Sequence, residues 1–205
     1  RIWRNSIRIV REELQRADAL GIGYAVTHLG SAMDRPEAEG RKNAAASLAE
    51  IVRGRDGGSR LLLEFSAGTG AVIGDTFEEV GEIMAKSGGD FGVCLDTCHV
   101  FASGCELRTP AAVKAMVVDF DRHLGLERLK LVHANDSVFV LGSRKDRHAD
   151  IGKGEIGEAG FRALLAAPEL RAVNWILETP KDSDEDDLRN LAAMSRLSAE
   201  EHAGV

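Results

Sequence analysis

The sequence predicts an α/β fold, a parallel sheet wrapped by helices as in a (β/α)8 barrel, and two observations predict it. Short apolar runs alternate with amphipathic helical stretches along the whole chain, the rhythm of βαβ units. Each run also ends on a histidine or a carboxylate, at His28, Glu64, Asp96, His133 and Glu178. An open doubly wound sheet gathers such groups at one switch point, whereas a barrel mouth takes one from every strand.

The first element is a helix. Ile2, Trp3, Ile7, Val10, Leu14 and Ala17 recur at three- and four-residue steps, and Gly21 ends the pattern. Gly23 to His28 reads as a strand running into the Gly30-Ser31 turn, and an alanine-rich helix from Glu37 to Val52 follows. The next strand, Arg60 to Glu64, leads into a glycine-rich loop from Phe65 to Gly70. Asp75 with Glu78 reads as a capping box, opening a helix whose apolar face is Phe77, Val80, Ile83 and Met84.

Phe91 to Leu95 is a short apolar strand of the kind buried on both faces, with Asp96 and His99 at its mouth. Thr109-Pro110 is an N-cap followed by proline at the first helical position, and that helix carries Val113, Val117 and Phe120. Leu129 to Ser137 is the fourth strand with its mouth, followed by a long polar loop from Gly142 to Gly157 that holds Asp146 and His148. A helix from Glu158 to Ala166 precedes the fifth strand, Val173 to Glu178. The acidic run Asp182 to Asp187 reads as a solvated helix start ahead of a closing helix, Leu188 to Leu197.

The chain opens with Arg1 already inside a helical pattern, which reads as the middle of a longer protein. The expectation is a single partial barrel domain over residues 1–205, N-terminally incomplete, with about five of eight βα units. With 44% hydrophobic and 29% charged residues the chain can bury a substantial core. No apolar run reaches the roughly 18–20 residues of a membrane span, and no signal peptide opens the chain. The three cysteines, Cys94, Cys98 and Cys105, lack zinc-knuckle spacing and read as reduced thiols. A cytoplasmic monomer with no membrane partner is expected. A net charge of −7 counts against a broad basic nucleic-acid surface, although cations in an acidic mouth would reverse the local field.

His28, Glu64, Asp96, His99, His133, Asp146, His148 and Glu178 form a set of nitrogen and oxygen donors without a cysteine, which suits catalytic zinc or manganese better than a structural zinc clamp. Taken singly, each has a plainer role as a helix cap or loop hydrogen-bonder; the set is what points to a multinuclear site. Such a site fits phosphoester hydrolysis, in which metal ions generate a nucleophile at neutral pH and hold the attacking and leaving oxygens. One of Glu64 and Glu178 would bridge two ions and the other would take a proton.

The stretches Gly92-Val93-Cys94-Leu95-Asp96-Thr97-Cys98-His99, His133-Ala134-Asn135-Asp136, Gly142-Ser143-Arg144-Lys145-Asp146-Arg147-His148, Ile151-Gly152-Lys153-Gly154 and Leu177-Glu178-Thr179-Pro180 resemble signatures of the endonuclease IV family, zinc-dependent apurinic/apyrimidinic endonucleases on a TIM barrel. The resemblance implies incision of duplex DNA 5′ to an abasic site through three zinc ions, leaving a 3′-hydroxyl, with the abasic nucleotide flipped into the pocket. It implies Glu64 as the carboxylate bridging two ions, His28 on one of them, and Asp96, His133 and Glu178 on the other. His99, Asp146 and His148 would hold the third ion, and Glu178 would activate the nucleophile. It also implies three strands ahead of His28 that supply another histidine ligand. The loop after Glu64, Phe65-Ser66-Ala67-Gly68-Thr69-Gly70, departs from the family pattern.

Two other readings compete. A sugar isomerase or epimerase on the related barrel needs only one or two metals, which leaves His99, Asp146 and His148 unexplained. An inactive DNA-binding or structural fragment would keep the donors without cleavage.

Overall fold

The computed structural model describes residues 2–203, with side chains described through residue 199. Five parallel strands form one sheet: β1 (Tyr24–His28), β2 (Arg60–Glu64), β3 (Gly92–Asp96), β4 (Leu129–Ala134) and β7 (Asn174–Leu177), side by side in that order. Two short strands, β5 (Asp136–Ser137) and β6 (His148–Ala149), pair as an antiparallel ribbon. The helices are α1 (Ile2–Leu20), α2 (Glu37–Val52), α3 (Phe77–Ser87), α4 (Thr97–Ser103), α5 (Pro110–Leu124), α6 (Gly157–Ala166) and α7 (Asp184–Ala203).

The strand order never reverses, so the doubly wound alternative is excluded and the strands follow one another as barrel staves do. Register supports this. His28 is level with Glu64, and Asp96 with His133, but Glu64 is level with Cys94, two residues before Asp96, and His133 is level with Ile176, two before Glu178. The donor row therefore climbs at every second strand, by the average of about one residue per strand that an eight-strand barrel of shear eight requires.

Outward-facing residues such as Leu61, Leu63, Val93, Leu95 and Val132 pack beneath the helices. Phe65, Phe77 and Phe120 meet edge to face there, with ring centroids 5.0, 6.3 and 5.4 Å apart. On the inner face Leu62, Cys94 and Leu131 form a small buried apolar floor below the donors.

Four sequence expectations are corrected. The cap of α3 is Thr76 rather than Asp75: its hydroxyl accepts Glu79 N–H at 3.2 Å, while the Glu79 carboxylate reaches back to Gly74 N–H at 2.7 Å. Residues 97–103, read from the sequence only as the mouth of the strand, form α4 with Asp96 as N-cap, so His99 sits on a helix. The loop from Gly142 to Gly157 contains β6, fastened to the end of β4. Asp186, in the run expected to be solvated, is 9% exposed and accepts N–H groups from Asp182 and Ser183 at 2.8 and 2.7 Å, capping α7.

Candidate metal centre

All eight donors read from the sequence converge at the C-terminal end of the sheet. Glu64 is central. Its Oε1 lies 2.9 Å from His133 Nδ1 and its Oε2 3.5 Å from His28 Nε2, so one carboxylate divides its two oxygens between histidines on opposite sides. His133 Nδ1 is also 3.0 Å from Glu178 Oε2. The ligand atoms of Glu64, Asp96, His133 and Glu178 all lie within 4.8 Å of one another.

The second corner is built by α4 and the ribbon. Asp96 Oδ1 accepts His99 N–H at 2.9 Å, which fixes the start of the helix carrying His99. His99 Nδ1–H donates to the Phe65 carbonyl and His148 Nδ1–H to the Glu178 carbonyl, both at 2.9 Å. A carbonyl can only accept, so each Nδ1 carries a proton and each Nε2 in the neutral ring presents a lone pair. Those two Nε2 atoms stand 3.4 Å apart, and Asp146 Oδ1 is 3.2 Å from one and 3.5 Å from the other. With both rings neutral, as metal binding requires, three acceptor atoms thus face one point. Three ligands of a tetrahedral zinc, at bond lengths of roughly 2.0–2.1 Å, stand about 3.3 Å apart. The residues present therefore fit the ion.

The electrostatics agree. Burial pulls the Glu64 carboxyl upward, but the His133 hydrogen bond and the neighbouring histidines outweigh it and hold it below its usual range. His99 is the converse: burial disfavours its charge, yet Asp146, Asp96 and Glu64 push it up to about 9. His133 is likewise raised against its burial by Glu64, Glu178 and Asp96, and Asp146 is lowered chiefly by the His99 hydrogen bond. Without a cation, protons on histidine take its place in a negative field. In the metal-free chain burial, with Asp96, pushes the nearby Cys98 thiol up to about 12, and burial raises Cys94 strongly too.

Two residues escaped the sequence reading. Asn135, fully buried, hydrogen-bonds both Asp96 and Glu178. Phe139, beside Lys145 with Nζ 4.6 Å from its ring centroid, walls a cleft of about 650 Å³ that opens over His28, His99 and Asp146. For Asn135 the available signal was an amide two residues after the donor His133 at the same strand end.

Residues 1–198 match the family described as xylose isomerase-like TIM barrel. The chain is 43% identical over 197 residues to a protein named probable endonuclease 4 of Oleidesulfovibrio alaskensis, covering 94% of this chain and 67% of the relative. The probable endonuclease 4 of Nitrosopumilus maritimus is 40% identical over 191 residues, covering 92% and 68%. The crystal structure of endonuclease IV from Thermus thermophilus superposes with a TM-score of 0.83 at 35% identity, covering 97% of this chain and 70% of that one. The chain belongs to the endonuclease IV family of xylose isomerase-like TIM barrels. A D-tagatose 3-epimerase-like protein, with a TM-score of 0.72 at 21% identity, shares the fold alone.

Proposed function

We propose that this chain carries the hydrolytic centre of a DNA-repair endonuclease that cleaves the phosphodiester 5′ to an abasic site in duplex DNA and leaves a 3′-hydroxyl. The observation that carries the reading is the division of Glu64 between His28 and His133, joined to the convergence of His99, Asp146 and His148. Glu64 with His28 would hold one ion, Glu64 with Asp96, His133 and Glu178 a second, and His99, Asp146 and His148 a third. Zinc ions there supply Lewis acidity to the attacking and leaving oxygens of the phosphodiester.

The chain's own groups do the rest. Glu178, whose side chain is 45% exposed, reaches from the buried His133 to the open side of the mouth, where it takes the proton of the attacking water. The cleft beside His28 and Asp146 receives the sugar-phosphate, with Lys145 placed at its rim to meet phosphate and Phe139 to pack against the displaced nucleotide. A monomer acting inside the cell suffices for this chemistry, and residues 1–205 act as one domain. The described residues include no helix long and apolar enough to cross a membrane.

The test is incision of a duplex oligonucleotide carrying one abasic site, compared with the intact duplex and with chelator-treated protein. The expected result is one cut 5′ to the lesion, abolished by the chelator, restored by zinc, and lowered on the order of 1,000-fold in Glu178→Gln while DNA binding is retained. Equal cutting by Glu178→Gln, or binding without any cutting, would favour a non-catalytic role.

A further inference from the structure

Asn135 stands one residue beyond β4 and touches both flanking carboxylate residues. Its Nδ2 donates to Asp96 Oδ2 at 2.6 Å and its Oδ1 accepts Glu178 N–H at 3.0 Å. Only this orientation of the amide satisfies both neighbours, because a carboxylate offers no proton and a backbone N–H accepts none. The Asn135 backbone is itself clamped by Thr97, whose hydroxyl donates to the Asn135 carbonyl at 2.6 Å and accepts its N–H at 2.9 Å.

What this amide holds is unusual. Glu178 lies just past β7, beyond the last paired residue of the sheet. Side chains take over both of its main-chain groups: Asn135 accepts its N–H and His148 donates to its carbonyl. Asp96 is held on both oxygens as well, Oδ1 by His99 N–H and Oδ2 by Asn135. The rotation of one carboxylate and the direction in which the other leaves its strand therefore share one side chain, with His99 N–H and His148 as the second hold on each.

We infer that Asn135 is a positioning residue that sets Asp96 and Glu178 together, and so governs the grip of the Glu64, Asp96, His133 and Glu178 group on its ion and the aim of Glu178 at the attacking water. This rests on the function proposed above. No other residue type does both jobs. Aspartate would set carboxylate against carboxylate, leucine would leave a buried N–H unpaired, and glutamine is a methylene too long for the span. The corner formed by His99, Asp146 and His148 meets Asn135 only at second hand, through the Asp96 cap on His99 N–H and the Glu178 carbonyl on His148, so a defect at Asn135 should weaken the Glu64, Asp96, His133 and Glu178 group more than this corner.

The test is zinc binding by the full chain, measured by competition with a chromophoric chelator, for the wild type, Asn135→Asp and Asn135→Ser. Melting of the metal-free proteins monitors the fold. The expected result is one class of zinc weakened by about 10- to 100-fold with another weakened clearly less, and kcat on the abasic duplex lowered with KM within about twofold. Unchanged zinc binding, uniform weakening of every ion, or failure of both variants to fold would overturn the inference. A wild-type chain that binds zinc but incises nothing would overturn the proposed function and leave the zinc arm of this test intact. A wild-type chain that binds no zinc would overturn both.

Discussion

β2, β3 and β4 are buried along nearly their whole length, whereas β1 and β7 alternate between exposed and half-buried residues. Both groups of strands nevertheless deliver donors to the same mouth. Glu64, Asp96 and His133, from the inner strands, have side chains at most 8% exposed, while those of His28 and Glu178, from the outer strands, are 48% and 45% exposed. The difference lies in the neighbours. A donor at an inner strand has a stave on each side and a floor of Leu62, Cys94 and Leu131 beneath it. The inner-face residues of the outer strands, Val26 and Ile176, remain 36% and 49% exposed. Position on the strand places a donor in the mouth, and flanking strands set the dielectric in which it works.

The largest break in this comparison is Glu64→Ala. It removes the group that joins the inner strands to His28 and leaves His133 without its buried partner. Incision is expected to fall on the order of 1,000-fold or more, with zinc content falling in parallel, as read by a gel assay and elemental analysis of one sample. Incision lost with zinc retained in full would deny Glu64 its bridging role.

Next comes a matched pair on the inner face. Leu62→Ala removes a fully buried side chain from the floor and should cost about 2–5 kcal/mol in denaturant unfolding, whereas Ile176→Ala, at a half-exposed outer position, should stay within about 0.5 kcal/mol. Equal costs would show that something covers the outer strands in solution.

The smallest effect is at α7. Backbone N–H groups of Ser183 and Asp182, aided by Arg189 and opposed by burial, lower Asp186 to about 2 from its ordinary 3.8. A depressed carboxyl contributes stability that is fully present above its unfolded pKa and lost as pH falls through the folded value. Asp186→Asn should therefore lower Tm by roughly 2–4 °C at pH 7 and hardly at all near pH 2. A shift of the same size at both pH values would assign the effect to packing instead.

The strand ends were legible in the sequence because a short apolar run stopped by a polar residue marks a buried strand and its mouth together; Glu64, Asp96 and His133 follow from that alone. The α2 boundaries, Glu37 and Val52, were legible for a similar reason, between Pro36 and the glycine loop after Arg53. Less was visible where one residue does two tasks. Asp96 is both donor and N-cap, and residues 97–102 of α4 are all buried, so no 3.6-residue periodicity separates that helix from the strand before it. The ribbon of Asp136–Ser137 with His148–Ala149 has two residues per strand, too few to show alternation. The burial difference between inner and outer donors was not legible either, because it belongs to the sheet and not to any segment.

The most direct measurement is a metal count. The chain, purified, loaded with zinc and desalted, should retain at least about two ions per molecule by elemental analysis, one for each donor set of three or four groups, with the position at His28 and Glu64, whose third neighbouring donor His99 is shared with another set, filling last. A count below two, or full loading that survives His148→Ala unchanged, would contradict a multinuclear centre in this fold.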